Sequence, residues 1–370
     1  TKSGKRYLDF ASGIAVNSLG HCHPELIKIL VKQSKKLWHT SNAFQIIEQE
    51  KLAKKLTDLT FADKVFFCNS GAESVEAAIK IARSYHQIKK KKKKFKIITI
   101  KGSFHGRTLA TISASGQEKM IDGFKPEVGG FKHAKFGDHE SIEKLIDSQT
   151  AAIMIEPILG EGGIKVIPNQ CLEGIKKLCK KKQILLIFDE VQCGMGRTGK
   201  LFSYQWSNMK PDILTTAKGI GGGFPIGACL VTNEASKGMK FGSHGSTFGG
   251  NPLACSVANK ALEIISKKSF LNQVNQKSAF LIKELENIKN SHLDLIEEIR
   301  GRGFMLGIKA RISNSILIDK LRNNGLLVVG ASENVIRILP PLNVTIKDLG
   351  VALKIIKKTC MEINGKKKQN

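Results

Sequence analysis

Short apolar runs recur through the middle of this chain, and helical patterns separate them. The runs at 64–68, 95–100, 151–155 and 184–188 are rich in Val, Ile, Leu, Phe, Ala and Met. Between them, 74–85 and 171–182 space their apolar residues at helical intervals. Strands with no polar alternation are buried on both faces. The pattern therefore predicts an α/β architecture, a mostly parallel sheet covered by helices on both sides. Further on the character changes. Helical patterns at 253–265 and 270–289 lead into strand-like 299–308 and 335–339, a stop at Pro340-Pro341, and a closing helix over 346–363. That shift predicts a smaller α/β domain at about 263–370.

Two of the apolar runs end on charge. The run 184–188 stops at Asp189-Glu190, and the run 212–216 leads through Ala217 to Lys218. In doubly wound sheets the carboxyl ends of strands face ligands. Charges at the tips of buried strands are rare unless they are paired or take part in chemistry. An amine able to form a Schiff base, with a carboxylate able to face a pyridinium nitrogen, is the pair that pyridoxal phosphate requires. Lys218 and Asp189 are accordingly the candidate catalytic residues.

Composition excludes several classes. With 370 residues, 41% of them hydrophobic, the chain can bury a sizeable core across about two domains. No apolar run approaches the roughly 20 residues that span a bilayer. The start, Thr1-Lys2-Ser3-Gly4-Lys5-Arg6, lacks the apolar centre of a signal peptide. The eight cysteines form no Cys-x-x-Cys pair and read as buried, reduced thiols, so a cytoplasmic location is expected. The net charge of +27 comes mostly from Lys spread along the whole chain, without interleaved aromatics. It reads as a solvated surface that attracts anionic substrates and phosphate cofactors, with no nucleic acid expected. A basic nucleic-acid-binding protein with an inactive site is the alternative of a different class. The run of lysines from Lys89 to Lys94 reads as a solvated loop.

Several local motifs add detail. Asn69-Ser70-Gly71-Ala72-Glu73 follows a strand and opens a helix. It reads as a capping box, with Ser70 as the cap and Glu73 reaching back, and equally as a phosphate cup of free N–H groups. Gly194-Met195-Gly196-Arg197-Thr198-Gly199 has the spacing of a dinucleotide fingerprint but opens no helix. That fold is rejected, and the glycines read as a loop in which the backbone passes close to a neighbour. The glycines of Gly219-Ile220-Gly221-Gly222-Gly223 would let bulky ring atoms approach Lys218. In Phe104-His105-Gly106-Arg107, the aromatic ring could stack on a flat cofactor and Arg107 could fork onto a carboxylate, with His105 a locally satisfied histidine. His21-Cys22-His23-Pro24 lacks a fourth ligand at metal spacing and reads as a helix entry, so no metal is expected.

Taken in order, these blocks resemble the class III pyridoxal-phosphate-dependent aminotransferases, and within them the subgroup that acts on acetylornithine. The resemblance runs nearly end to end. It includes Asp9 to Asn17, Asn69 to Glu73, Phe104 to Thr108, Glu156-Pro157, Gly160 to Gly163, Phe188 to Gln192, Gly196 to Gly199, Ala217-Lys218-Gly219, Ser246 to Pro252 and Leu339 to Leu342. It implies the fold type I of such transferases. That fold has an N-terminal segment at 1–25, a large cofactor-binding domain at 26–262 with a mostly parallel seven-stranded sheet flanked by helices, and the small C-terminal domain at 263–370. The resemblance also implies a short segment ahead of position 1 that helps line the pocket, and this chain is expected to lack it.

The resemblance also implies roles. Lys218 is similar to the Schiff-base lysine and proton shuttle, and Asp189 to the partner of the pyridine nitrogen. Gln192 matches the residue near the ring hydroxyl, Phe104 the stacking ring, and Ser70, Gly71 and Ala72 the phosphate-binding turn. Thr247 is similar to the residue that reaches the phosphate from the other subunit, which implies a homodimer with shared sites, and Ser246 lies beside the substrate. Arg107 resembles the clamp on the substrate carboxylate. Glu161 and Arg337 resemble a pair in which the glutamate masks the arginine until a dicarboxylate arrives. The implied reaction is a ping-pong transfer of the terminal amine of N2-acetylornithine to 2-oxoglutarate, which leaves as glutamate. Succinyl-diaminopimelate is a second possible donor. Ornithine-specific relatives carry a tyrosine where this chain has Ser12-Gly13-Ile14, which favours an acylated donor. Other ω-amines (ornithine, succinylornithine, 4-aminobutyrate) form the alternative within the class.

Overall fold

The computed structural model describes residues 1–89, 93–207 and 209–367, so positions 90–92 of the lysine run lie outside the described residues. Seven strands build the main sheet: β1 (Lys64–Cys68), β2 (Lys96–Ile100), β3 (Phe131–Ala134), β4 (Thr150–Ile155), β5 (Leu185–Asp189), β6 (Ile213–Thr216) and β7 (Gly227–Val231). Their spatial order is β1-β7-β6-β5-β4-β2-β3. Only β7 is antiparallel to its neighbours; the other pairings are parallel. Strands β4 to β7 are buried along their whole length, as expected of strands covered on both faces.

The helix Gly71–Ile88 shows why the sheet is so apolar. It lays Val75, Ala78, Ile79 and Ala82 onto a cluster that includes Met154, Ile187, Ile213 and Cys229. Each Ile or Val buried this way contributes about 1.5–3 kcal/mol relative to exposure. Ser70 caps the helix, accepting from the Glu73 N–H at 3.2 Å. The capping box is completed differently from expectation. The Glu73 carboxylate takes the backbone N–H and side-chain amide of Asn69, not the N–H of Ser70.

The smaller sheet is antiparallel. Strands β8 (Ile296–Arg302), β9 (Met305–Ala310), β10 (Val329–Ala331) and β11 (Val335–Ile338) lie in the order β8-β9-β11-β10. One buried cluster runs from Ile153 and Phe188 in the large sheet, through Leu262 and Leu281, to Ile308 and Leu321. The two sheets thus share a core. The first residues pack onto the C-terminal part of the chain: Leu8–Asp9 pairs in parallel with Leu326–Leu327, and Phe10 O accepts from Leu339 N at 2.7 Å. His23 stands at the N-cap position of the helix Pro24–Ser34 without a side-chain capping bond, Pro24 lies in the first turn, and His21 bonds Asp9 at 2.7 Å. Among the described residues no helix is long and apolar enough to cross a membrane.

Candidate active site

Parallel register places the floor of the site. Asp189 at the end of β5 lies beside Thr215 of β6. Asp189 Oδ1 accepts from Thr215 Oγ1 and from the Val191 N–H, both at 3.1 Å. Asp189 Oδ2 lies 2.7 Å from His105 Nδ1, and both side chains are buried. His105, a locally satisfied histidine by its sequence context, is in the fold the partner of Asp189, 84 positions away. Only the strand order β5-β4-β2, which brings the ends of β2 and β5 to one edge, could have shown this.

Glu156 follows β4, between those two strands. Its oxygens accept from the Phe104 N–H at 2.8 Å and the Gly160 N–H at 3.1 Å. Burial pushes its carboxyl up to about 7. Next door, burial pushes Glu190 up to about 8, while its oxygens hold the N–H groups of Ser203 and Tyr204. Sequence reading gave these two carboxylates no role, because their partners are backbone amides that no residue pattern marks.

Lys218 sits just past β6 with a left-handed φ of 47°. Such a backbone costs roughly 1–3 kcal/mol and is stored where the surroundings hold it. Its amine donates no hydrogen bond to any described residue. Burial first, and then the charge of Arg337, push it down to about 8. Lys218, Asp189, Phe104, His105, Arg107, Ser70, Gly71 and Ala72 line one cavity of about 400 Å³.

One side of that cavity is the start of the helix Gly71–Ile88, where Gly71 and Ala72 have N–H groups beyond any intrahelical acceptor. Small residues are required here. A Cβ on Gly71 would lie 2.7 Å from Val191 Cγ1, and one on Gly106 would lie 2.9 Å from Ala72 Cβ. The glycines after Lys218 act differently from expectation. A Cβ on Gly219 would meet Ser18 Oγ and Met195 Cβ, so that glycine packs against the N-terminal segment; Gly223 does line the cavity.

Gln192, Glu161, Arg337, Ser246 and Thr247 lie outside the lining of this cavity. Buried Gln192 accepts from Arg337 Nη1 at 3.3 Å. Arg337 Nη2 lies 3.3 Å from Glu161 Oε2 and donates to Gly330 O at 2.8 Å. Burial lowers the Arg337 pKa. Arg107 is exposed, its guanidinium 5.4 Å from the centre of the Phe104 ring, with no carboxylate partner among the described residues. Ser246 and exposed Thr247 line a neighbouring cavity of about 480 Å³. The two cavities meet at Asn69, whose amide donates to Ser246 Oγ at 3.1 Å.

Residues 1–360 match the aminotransferase class-III family. The chain is a class III aminotransferase. It is 53% identical over 357 residues to an acetylornithine aminotransferase of Mesorhizobium japonicum, covering 96% of this chain and 90% of that relative. Among solved structures it is similar to an ornithine aminotransferase of Toxoplasma gondii, at 33% identity and a TM-score of 0.95, covering 99% of this chain and 88% of that one. It is also similar to an N-acetylornithine aminotransferase of Stenotrophomonas maltophilia, at 35% identity and a TM-score of 0.86, covering 98% of this chain and 93% of that one. This aminotransferase depends on pyridoxal phosphate. Its cavity fits the group: it joins an unpartnered buried amine, a buried carboxylate at the opposite pole of charge, an aromatic face and a helix N-terminus cleared of side chains.

Proposed function

We propose that this aminotransferase moves the terminal amine of N2-acetyl-L-ornithine to 2-oxoglutarate in arginine biosynthesis, with succinyl-diaminopimelate as a second donor. The observation that carries this reading is the contrast between two arginines. Arg107 has no carboxylate partner among the described residues, while Arg337 is covered by Glu161. A donor with one carboxylate needs only Arg107. A dicarboxylate acceptor needs a second cation, supplied when Glu161 turns aside. The exposed Lys119, 3.3 Å from Glu161, gives that carboxylate an alternative partner.

Pyridoxal phosphate, when bound, supplies the electron sink for the carbanion formed at the amine carbon. Asp189 would hold the proton on the ring nitrogen. Gln192 would serve the ring hydroxyl, Phe104 would pack on the ring, and Ser70, Gly71 and Ala72 would hold the phosphate. Lys218 would supply the amine that holds the group and would carry the proton at the reacting carbon. Its lowered pKa leaves part of it neutral, as a base must be, at ordinary pH. Ser246 borders the substrate, and Thr247 of a second copy reaches the phosphate. Exposed Trp38, Phe44 and Phe248 lie on segments joined by Asn42, which donates to Ser246 O and Gly249 O; this apolar face supports a homodimer with shared sites. All eight cysteines are free and seven are buried, which suits a reducing cytoplasm.

A second reading, transfer from free ornithine, is favoured by the TM-score of 0.95 to the Toxoplasma enzyme. It would need a polar partner for the α-amine, and the segment Ser12-Gly13-Ile14 offers no tyrosine. Measuring kcat/KM for acetylornithine, ornithine, succinylornithine and 4-aminobutyrate with 2-oxoglutarate decides between them. Acetylornithine is expected to lead ornithine by tenfold or more; the reverse order rejects the first reading.

A further inference from the structure

The loop that follows Asp189 and Gln192 carries a guanidinium that the reaction as described does not use. Arg197 is 1% exposed and has no carboxylate partner among the described residues. Its Nη1 donates to the carbonyls of Phe304 (3.3 Å) and Pro340. Its Nη2 is buried without a partner among the described residues. A buried cation without a counter-charge is costly and would ordinarily be replaced by an apolar side chain of similar volume. Sites that break such rules are places to look for function.

The surroundings show what the guanidinium grips. Phe304 lies in the turn between β8 and β9, and Pro340 lies three residues beyond Arg337, just past the end of β11. The Arg197 backbone takes part as well: its carbonyl accepts from the Phe304 N–H at 2.9 Å. A Cβ on Gly303, with φ of 61°, would stand 2.6 Å from that carbonyl, so only glycine lets the two backbones meet. On its far side the loop is anchored by Asn275, which donates to Gly199 O at 3.0 Å, and by Trp206, which donates to Thr198 O at 3.1 Å. One loop of the large domain therefore holds the small-domain strand at two points, through Gln192 on Arg337 itself and through Arg197 on Pro340.

We propose that Arg197 is a positioning residue for Arg337, setting the distance between the dicarboxylate-binding cation and the floor of the site. It acts through the backbone at Pro340, just past the end of β11, and touches neither substrate nor cofactor. The inference rests on the reading of Arg337 given above. Its consequence is selective. The half-reaction with glutamate depends on where Arg337 stands, and the half-reaction with acetylornithine does not.

The test uses the cofactor-loaded protein with Arg197→Lys, Arg197→Gln and, as a reference, Arg337→Lys. Each half-reaction is followed in single turnover, glutarate binding is measured by calorimetry, and thermal unfolding checks the fold. Arg197→Lys and Arg197→Gln are expected to weaken glutarate binding and lower kcat/KM for glutamate by tenfold or more, with acetylornithine changed less than threefold. Equal losses in both half-reactions, or unchanged glutarate binding, overturn the proposal. So does failure of both Arg197 variants to fold, which would make the guanidinium a determinant of the fold alone. If Arg337→Lys leaves the glutamate half-reaction unchanged, the reading of Arg337 fails first, whatever Arg197 does.

Discussion

At the floor of the site Asp189 receives three hydrogen bonds and Glu156 two, all from buried or half-buried donors of the same protomer. At the rim, Arg107 rests on one aromatic ring, and Thr247 is exposed beside a cavity of its own. Buried polar groups must find partners within the protein, whereas exposed ones can use water. The carboxylates of the floor are therefore satisfied before any ligand arrives, its Lys218 amine alone is held in reserve, and the rim is finished by what binds to it. The floor also carries the costs: a strained Lys218 with a suppressed charge, and carboxyls at Glu156 and Glu190 raised by burial. Stability and function are opposed there and independent at the rim.

The sharpest way to break this comparison is Lys218→Met. It removes both the exchanging amine and the proton carrier, so turnover is expected to fall by at least about 10⁴-fold, the upper range for one positioned acid–base group. Single-turnover kinetics with acetylornithine measures it. Activity within tenfold of the parent would show that the floor was misassigned.

The same substitution should stabilise the cofactor-free protein. The folded pKa of Lys218, about 8, lies below its unfolded value of 10.5. Below pH 8 both states are protonated, and the folded state bears the whole penalty of holding the charge, about 3 kcal/mol. Between pH 8 and 10.5 the unfolded chain binds more protons, so stability rises with pH; above 10.5 the penalty is gone. Lys218→Met should be more stable than the parent at pH 7, and its denaturation midpoint should lack the parent's rise between pH 8 and 10.5. Equal midpoints at both pH values would mean that the floor stores no such strain.

The floor and the rim also differ in how far the sequence exposed them. Lys218 and Asp189 were legible because charge ends an apolar run, a contrast visible within ten residues. Five of the seven strands were legible as apolar runs; β3 and the reversed β7 were not, and the count of seven came only from the resemblance. His105 was not, since its meaning depends on which strands are neighbours. Glu161 and Arg337, 176 positions apart, were paired only through resemblance; neither residue stands out from its local pattern. Arg197 sits inside a glycine motif whose spacing suggested and then excluded a dinucleotide site. Its contacts with Phe304 and Pro340 are to backbone carbonyls, which every residue carries. Local contrast reveals where chemistry is placed, and long-range backbone contacts, which hold it there, leave no mark on composition.

At the rim, Arg107→Lys supplies the smallest and most discriminating change. It keeps the charge but replaces a planar fork by a point charge. Losing one charged hydrogen bond of about 1.5 kcal/mol corresponds to roughly a tenfold fall in kcat/KM. Because Arg107 would hold a carboxylate of donor and acceptor alike, both half-reactions should fall together, unlike the one-sided loss expected at Arg197. The cofactor-free protein should unfold within about 0.5 kcal/mol of the parent, as for most surface substitutions. Unchanged kinetics would remove Arg107 from the site. A stability loss above about 1 kcal/mol would show that the Phe104–Arg107 stack belongs to the floor, and the division between a self-sufficient floor and a ligand-completed rim would have to be redrawn through that ring.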